Sequence, residues 1–396
     1  MPSFDPSSSD SPAPSATPSA RNHSSSSPPP SPLTWKLNLL LFSLTVVSVF
    51  GTMLLGHPSP HLGRESLVEA AQFTGALLLI LGTHELAHFV AARAHRVEAS
   101  LPYFIPLPYL SPFGTMGAII RMRSVIPTRR ALLDIGASGP LAGLCVALPL
   151  YAWGVAHSKV IPLTGEEGQL GASLLLRALD HLFAPHVPPG SDVLLHPVAF
   201  AAWGGMFVTM INLLPLSQLD GGHVAYALFG PKQDRFAQQI HRAVLVFFFV
   251  SFAAYVARDV RAGFGFVRLG KSVGNSLFWL VWFEVLAVLG SLASRSMPHR
   301  EREEGMGIRT RAFGVASLIA LAALGEEYNR TGIWIAWFVV LGLLLALERR
   351  AGVLRPHDLM DHPPTGAAPL GTGRKVVAVV ALAMFVLLFM PTPFEM

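Results

Sequence analysis

The sequence is poor in cysteine and in charge, and each shortage excludes a class of protein. Its single cysteine, Cys145, lies inside an apolar run, so neither a disulfide framework nor a cysteine zinc cluster can form within one chain. Asp, Glu, Lys and Arg make up 13% of the 396 residues, about half the share typical of a soluble domain, which excludes an ordinary water-soluble enzyme. The formal charge is +5, yet no segment joins a dense basic cluster to stacking aromatics, so nucleic acid is not an expected partner. The first thirty residues lack a basic start followed by an apolar stretch, so no cleavable signal peptide is expected.

What is abundant is apolar surface. Hydrophobic residues reach 52% and the mean hydropathy is +0.49, more than one core can absorb without lipid around it. Residues 1–34 hold nine Pro and twelve Ser and are expected to be a disordered tail. Apolar runs follow at about 35–56, 69–94, 131–156, 197–216, 237–257, 275–294, 312–325, 332–348 and 376–390. These predict an all-α polytopic membrane protein of about nine transmembrane helices. With the N-terminus in the cytoplasm, 21 of the 29 Lys and Arg fall on the inner side, the asymmetry that orients membrane proteins. A bacterial cytoplasmic membrane is the expected location. The chain divides into the tail, a catalytic membrane core at 35–230 and additional transmembrane helices at 231–396.

The chemistry is concentrated in the second run, GALLLILGTHELAHFVAARAHR. His84, Glu85 and His88 form an H-E-x-x-H motif. On a helix the two histidines share one face about 6 Å apart along the axis, so both imidazoles can reach one zinc ion. Glu85 is turned aside and suits a general base for a metal-activated water. Ionisable side chains at membrane depth cost on the order of 2.5–3.5 kcal/mol each, so three within five residues call for a function rather than a chance helix contact.

Catalytic zinc normally takes three protein ligands, so a third must come from another helix. Asp134 opens the third run, where the helix dipole alone explains a carboxylate. Glu284 stands in the middle of FWLVWFEVLAVLG with no evident role. Asp220 stands in NLLPLSQLDGGH, where Pro215 and the Gly221-Gly222 pair interrupt an apolar helix. Irregular backbone at that depth marks a protein-lined or wet cavity, which makes Asp220 the best candidate.

HELAH at 84–88, paired with N-x-x-P-x-x-x-L-D-G-G at 212–222, resembles the site-2 protease family of intramembrane zinc metalloproteases. The likeness extends over roughly 70–230, including FGTMG at 113–117 and GPLAG at 139–143, with a further HPPTGAAPLG stretch at 362–371. The resemblance implies His84, His88 and Asp220 as ligands of one zinc ion, Glu85 as the catalytic carboxylate, and Asn212 as a residue that helps hold the substrate carbonyl or the developing oxyanion. It also implies a lipid-embedded, single-span membrane protein as substrate, cleaved in or near its transmembrane segment in regulated intramembrane proteolysis.

Between the second and third runs, SLPYFIPLPYLSPFGTMGAIIRMR is apolar but spaced by Pro102, Pro106, Pro108 and Pro112, so it cannot be helical. It is expected to re-enter the membrane as extended, β-like chain near the active site. Gly114, Thr115, Met116, Gly117, Ala118 and Ile119 would offer a strand edge to an unwound substrate. Two other functions compete. A zinc transporter or sensor would use the same ligands but leaves Glu85 unexplained, and a rhomboid-like serine protease would use Ser138 in Gly136-Ala137-Ser138-Gly139, a pattern that small-residue helix packing also produces.

Overall fold

A computed structural model describes residues 33–56, 63–108, 111–122, 124, 126–163, 169–216, 218–265, 267–294, 307–350, 362, 365–366 and 368–395. The Pro/Ser-rich stretch at 1–32 lies outside them, and the first helix begins at Leu33, one residue before the expected end of the tail.

The chain opens with α1 (Leu33–Leu55) and α2 (Arg64–Ala94), followed by strands β1 (Tyr103–Pro106) and β2 (Thr115–Ile119). Next come α3 (Arg129–Ala156), β3 (Lys159–Pro162), β4 (Gln169–Leu170), α4 (Leu174–Phe183), β5 (Ser191–Leu194) and α5 (Pro197–Asn212). The remainder is α6 (Asp220–Phe229), α7 (Lys232–Arg261), α8 (Leu269–Ser294), α9 (Ile308–Tyr328), α10 (Thr331–Arg350), α11 (Thr372–Leu388) and β6 (Phe394–Glu395).

Each of the nine apolar runs contains a helix, and the chain is a multi-pass membrane protein. Seven helices among the described residues, α1, α2, α3, α7, α8, α9 and α10, are long and apolar enough to cross a membrane. The other two expected spans are shorter. At about 1.5 Å per residue, the 16 residues of α5 and the 17 of α11 reach less than the roughly 30 Å of a hydrocarbon core. A tenth segment, α6, has ten residues and escaped the hydropathy reading because Pro215 and two glycines surround its start.

The strands are few and form three two-stranded antiparallel pairs, β1 with β2, β3 with β5, and β4 with β6. In the first, Tyr103 faces Ile119 and Phe104 faces Ala118, with a shift in register after Ile105. Within the proline-spaced segment, Tyr103–Pro106 and Thr115–Ile119 are thus extended and no described residue is helical. Helix α1 fixes it, since the Asn38 amide donates to the carbonyls of Leu101 and Pro102 and the Ser48 hydroxyl donates to Gly114 O at 2.6 Å.

The centre of the molecule is the packing of α2, α3 and α5 on one another. Phe73, Leu77 and Ile80 of α2, Leu132 and Leu133 of α3, and Trp203 and Met206 of α5 are all essentially fully buried there. Thr128 starts α3 by accepting the Ala131 N–H. Helix α11 returns from the C-terminal group to lie against α3, α4, α5 and α6.

Candidate metal centre

His88 lies six residues before the end of α2, about 9 Å from that end, so the H-E-x-x-H turn sits toward one end of the bundle. The same end holds the start of α3, because the Arg374 guanidinium on α11 donates to Asp134 and the Asp134 carboxylate also meets His95, the residue that caps α2. His84, Glu85 and His88 are 3%, 7% and 6% exposed.

Asp220 is brought to these histidines from α6. It is the first residue of that helix, rather than the last of the preceding run. Its Oδ2 lies 3.1 Å from His84 Nε2 and 3.2 Å from His88 Nε2. Gly221 permits the approach of the turn behind it, for a Cβ there would fall 2.0 Å from the Leu213 carbonyl oxygen. Asn212, the last residue of α5, directs its amide nitrogen toward His84 Nε2 at 3.5 Å.

These residues fit a zinc ion. Donors that share one tetrahedral zinc at about 2.0–2.1 Å lie about 3.3–3.4 Å from one another. One carboxylate oxygen stands near that distance from both imidazole nitrogens, and all three donor atoms fall within 4.8 Å of one another. The second histidine's tautomer is set by its surroundings. His88 Nδ1 is 2.7 Å from the Ile135 carbonyl, so Nδ1 carries the proton and the Nε2 lone pair is left for a metal.

Helix α3 reaches the site through glycine. A Cβ on Gly139 would stand 2.1 Å from His88 Nε2, so only glycine lets α3 pass the H-E-x-x-H face this closely. Gly143 faces His84 one turn further on with more room, 3.4 Å. The GPLAG sequence is therefore a packing surface for the two histidines. Ser138 is not positioned as a nucleophile, because its hydroxyl donates to Ile135 O in its own helix at 2.8 Å.

The other candidate carboxylates are engaged elsewhere. Asp134 is held by Arg374 and His95. Glu284 on α8 is buried against Arg311 of α9 at 2.8 Å, and Arg311 also reaches Glu348 of α10 at 3.0 Å, so the intramembrane glutamate joins three C-terminal helices. Two supporting groups had no signature in the sequence. One is the Ile135 carbonyl, and the other is Gln233, whose amide donates to Pro215 O at 2.6 Å and pins the turn before Asp220.

Comparison with known proteins points to a zinc metalloprotease. The sequence profile of peptidase family M50 matches residues 72–254, which hold every residue of the candidate centre. Over that segment, a little under half of the chain, the sequence is similar to the site-2 protease family. The chain is 36% identical over 163 residues to the probable zinc metalloprotease EGY1, chloroplastic, of Arabidopsis thaliana, covering 39% of this chain and 29% of that one. It is 32% identical over 163 residues to the probable zinc metalloprotease EGY2, chloroplastic, of the same plant, covering 40% and 29%. The rice (Oryza sativa subsp. japonica) EGY1 protein, a probable zinc metalloprotease also named chloroplastic, is 34% identical over 156 residues, covering 37% and 26%. The chain thus spans less than a third of the length of these curated relatives. No solved structure matches it. The family's metal is zinc, which is the ion the two imidazoles and one carboxylate suit.

Proposed function

We propose that this chain is a zinc endopeptidase that hydrolyses a peptide bond in or near the transmembrane segment of a single-span membrane protein, the reaction of regulated intramembrane proteolysis. The observation that carries the reading is the convergence of His84, His88 and Asp220 from α2 and α6 on one buried point, with Glu85 beside them.

His84, His88 and Asp220 would hold the metal. When bound, zinc supplies Lewis acidity and lowers the pKa of water toward 7. Glu85 takes the proton of the attacking water as its oxygen bonds to the scissile carbonyl carbon. It then gives that proton to the nitrogen as the C–N bond breaks. Asn212, whose amide already faces the donor cluster, holds the carbonyl oxygen as it gains negative charge.

A substrate helix hides its carbonyls in its own hydrogen-bond ladder and must unwind to react. Unpaired backbone groups in lipid cost several kcal/mol each, so an unwound segment needs a partner strand. Residues Gly114 to Ile119 supply it in this reading. Strand β2 pairs with β1 along one edge, and Met116 and Ile119 are 65% and 56% exposed, apolar side chains open to a partner.

The reading takes nine transmembrane segments, counting α5 and α11, with the N-terminus in the cytoplasm of a bacterial cell. The 21-to-8 distribution of Lys and Arg supports that orientation. It brings water to the site from the cytoplasmic side. Incubation of the purified protein with a panel of single-span substrates tests the function. Cleavage that a zinc chelator abolishes and added zinc restores is expected, and cleavage indifferent to the chelator overturns the proposal.

A further inference from the structure

The HPPTGAAPLG stretch lies beyond the M50 match, yet the chain brings it back to the metal centre. His362 is 7% exposed. Its Nε2 lies 2.7 Å from Nδ1 of His223, on the same helix as Asp220 and three residues after it. The His362 ring stacks on Tyr226 of α6 with centroids 4.3 Å apart. Its backbone N–H donates to Asp234 of α7 at 3.0 Å. Four residues on, Gly366 bridges to Thr128, the residue that caps α3. Arg374 then holds Asp134, which also meets His95 at the end of α2. His362, Gly366 and Arg374 therefore reach α6, α7 and the start of α3, and through Asp134 the end of α2.

Helix α6 needs such ties. Ten residues are too few to be stable as an isolated helix, and α6 is entered through an irregular turn, so its rotation is set by contacts rather than by its own ladder. Its C-terminal end is fixed by Arg129, which donates to Ala227 O and Leu228 O. Its middle is fixed by His362, on His223 and Tyr226. Asp220 sits at the opposite, N-terminal end, where a small rotation of the helix would move its Oδ2 away from the two imidazoles.

We propose that His362 is a positioning residue of the metal centre, holding α6 through His223 so that Asp220 meets His84 and His88. The proposal rests on the reading of those three residues as a zinc site.

Three variants of the full-length protein test it, with zinc affinity measured by competition against a chromogenic chelator and the ligand field read from the cobalt-substituted protein. His362→Phe keeps a ring over Tyr226 but removes the nitrogen that meets His223. His362→Gln returns a polar atom near that position without the ring. His362→Phe should bind zinc about tenfold more weakly, at the low end for residues that orient ligands, and should shift the cobalt bands. His362→Gln should stay within about twofold of the wild type. His362→Ala, which leaves space and forces no clash, should show the same loss as His362→Phe if the latter does not fold. Wild-type zinc affinity in His362→Phe or His362→Ala overturns the proposal, as does an equal loss in His362→Gln, which would mark the residue as mere packing. His84→Ala separates the two claims. If it loses zinc while His362→Phe does not, positioning alone fails; if it keeps zinc, the site reading fails and the proposal with it.

Discussion

Gly139→Ala adds one methyl group to the face of α3 that passes the H-E-x-x-H turn, and the outcome can be worked out from distances. The new Cβ would lie 2.1 Å from His88 Nε2, 2.5 Å from Cδ2 and 2.6 Å from Cε1. Ordinary contact needs about 3.4–4 Å, so the imidazole must move by more than an ångström or the helices must part. Moving the ring breaks the 2.7 Å bond from Nδ1 to Ile135 O, which sets the tautomer. Forcing a methyl into a packed core costs about 1–3 kcal/mol in itself. Zinc affinity should fall further than the roughly 10–100-fold seen when only a ligand's supporting partner is lost, because here the ligand itself is displaced. The control lies one turn along the same helix. Gly143→Ala brings a Cβ to 3.4 Å from His84, a contact that a few tenths of an ångström relieves, and should change zinc affinity by no more than about threefold. Chelator competition on the two purified variants gives the answer directly. Equal affinities in Gly139→Ala and Gly143→Ala would refute the argument that α3 packs on a metal-ligand face.

Proline placed at Ala118 or Ile119 removes one N–H from β2 and should sharply reduce cleavage of membrane-embedded substrates while zinc content stays unchanged; unaltered cleavage across a proline scan of 115–120 would remove β2 from substrate binding. Cysteines introduced at Ser124 and Ser191 in a Cys145→Ala background should react with impermeant reagents from opposite sides of the membrane, the first from the cytoplasm, and labelling from one side alone would overturn the orientation. Arg311→Met strands Glu284 and Glu348 in the interior of the C-terminal helices, and thermal or denaturant unfolding should report a loss of about 3–5 kcal/mol, whereas an unchanged transition would mean that the cluster contributes no cohesion.

What could be read in advance was local. The His84 and His88 spacing already places two imidazoles on one helix face, and apolar runs of helical length show themselves without partners. Asp220 was legible because Pro215 and Gly221-Gly222 break an apolar run beside a carboxylate, although the break also concealed α6, which starts at that aspartate. The small-residue spacing of Gly139 and Gly143 signalled close packing but not what would pack there, since His88 is distant in sequence. The ties that hold the centre are long-range pairings. His223 meets His362 across 139 residues and Arg374 meets Asp134 across 240, and no periodicity records such a partner. Of the nine expected spans, those at 197–216 and 376–390 fold as the shortest helices, α5 and α11, and both pack against α3.

The account depends most on the division of labour between metal ligands and proton carrier. Zinc content and substrate cleavage measured side by side on the wild type, Glu85→Gln and Asp220→Ala test it directly. Glu85→Gln should hold one zinc per chain and cleave nothing, while Asp220→Ala should lose both zinc and cleavage. Full zinc with normal cleavage in Asp220→Ala, or undiminished cleavage in Glu85→Gln, would contradict it.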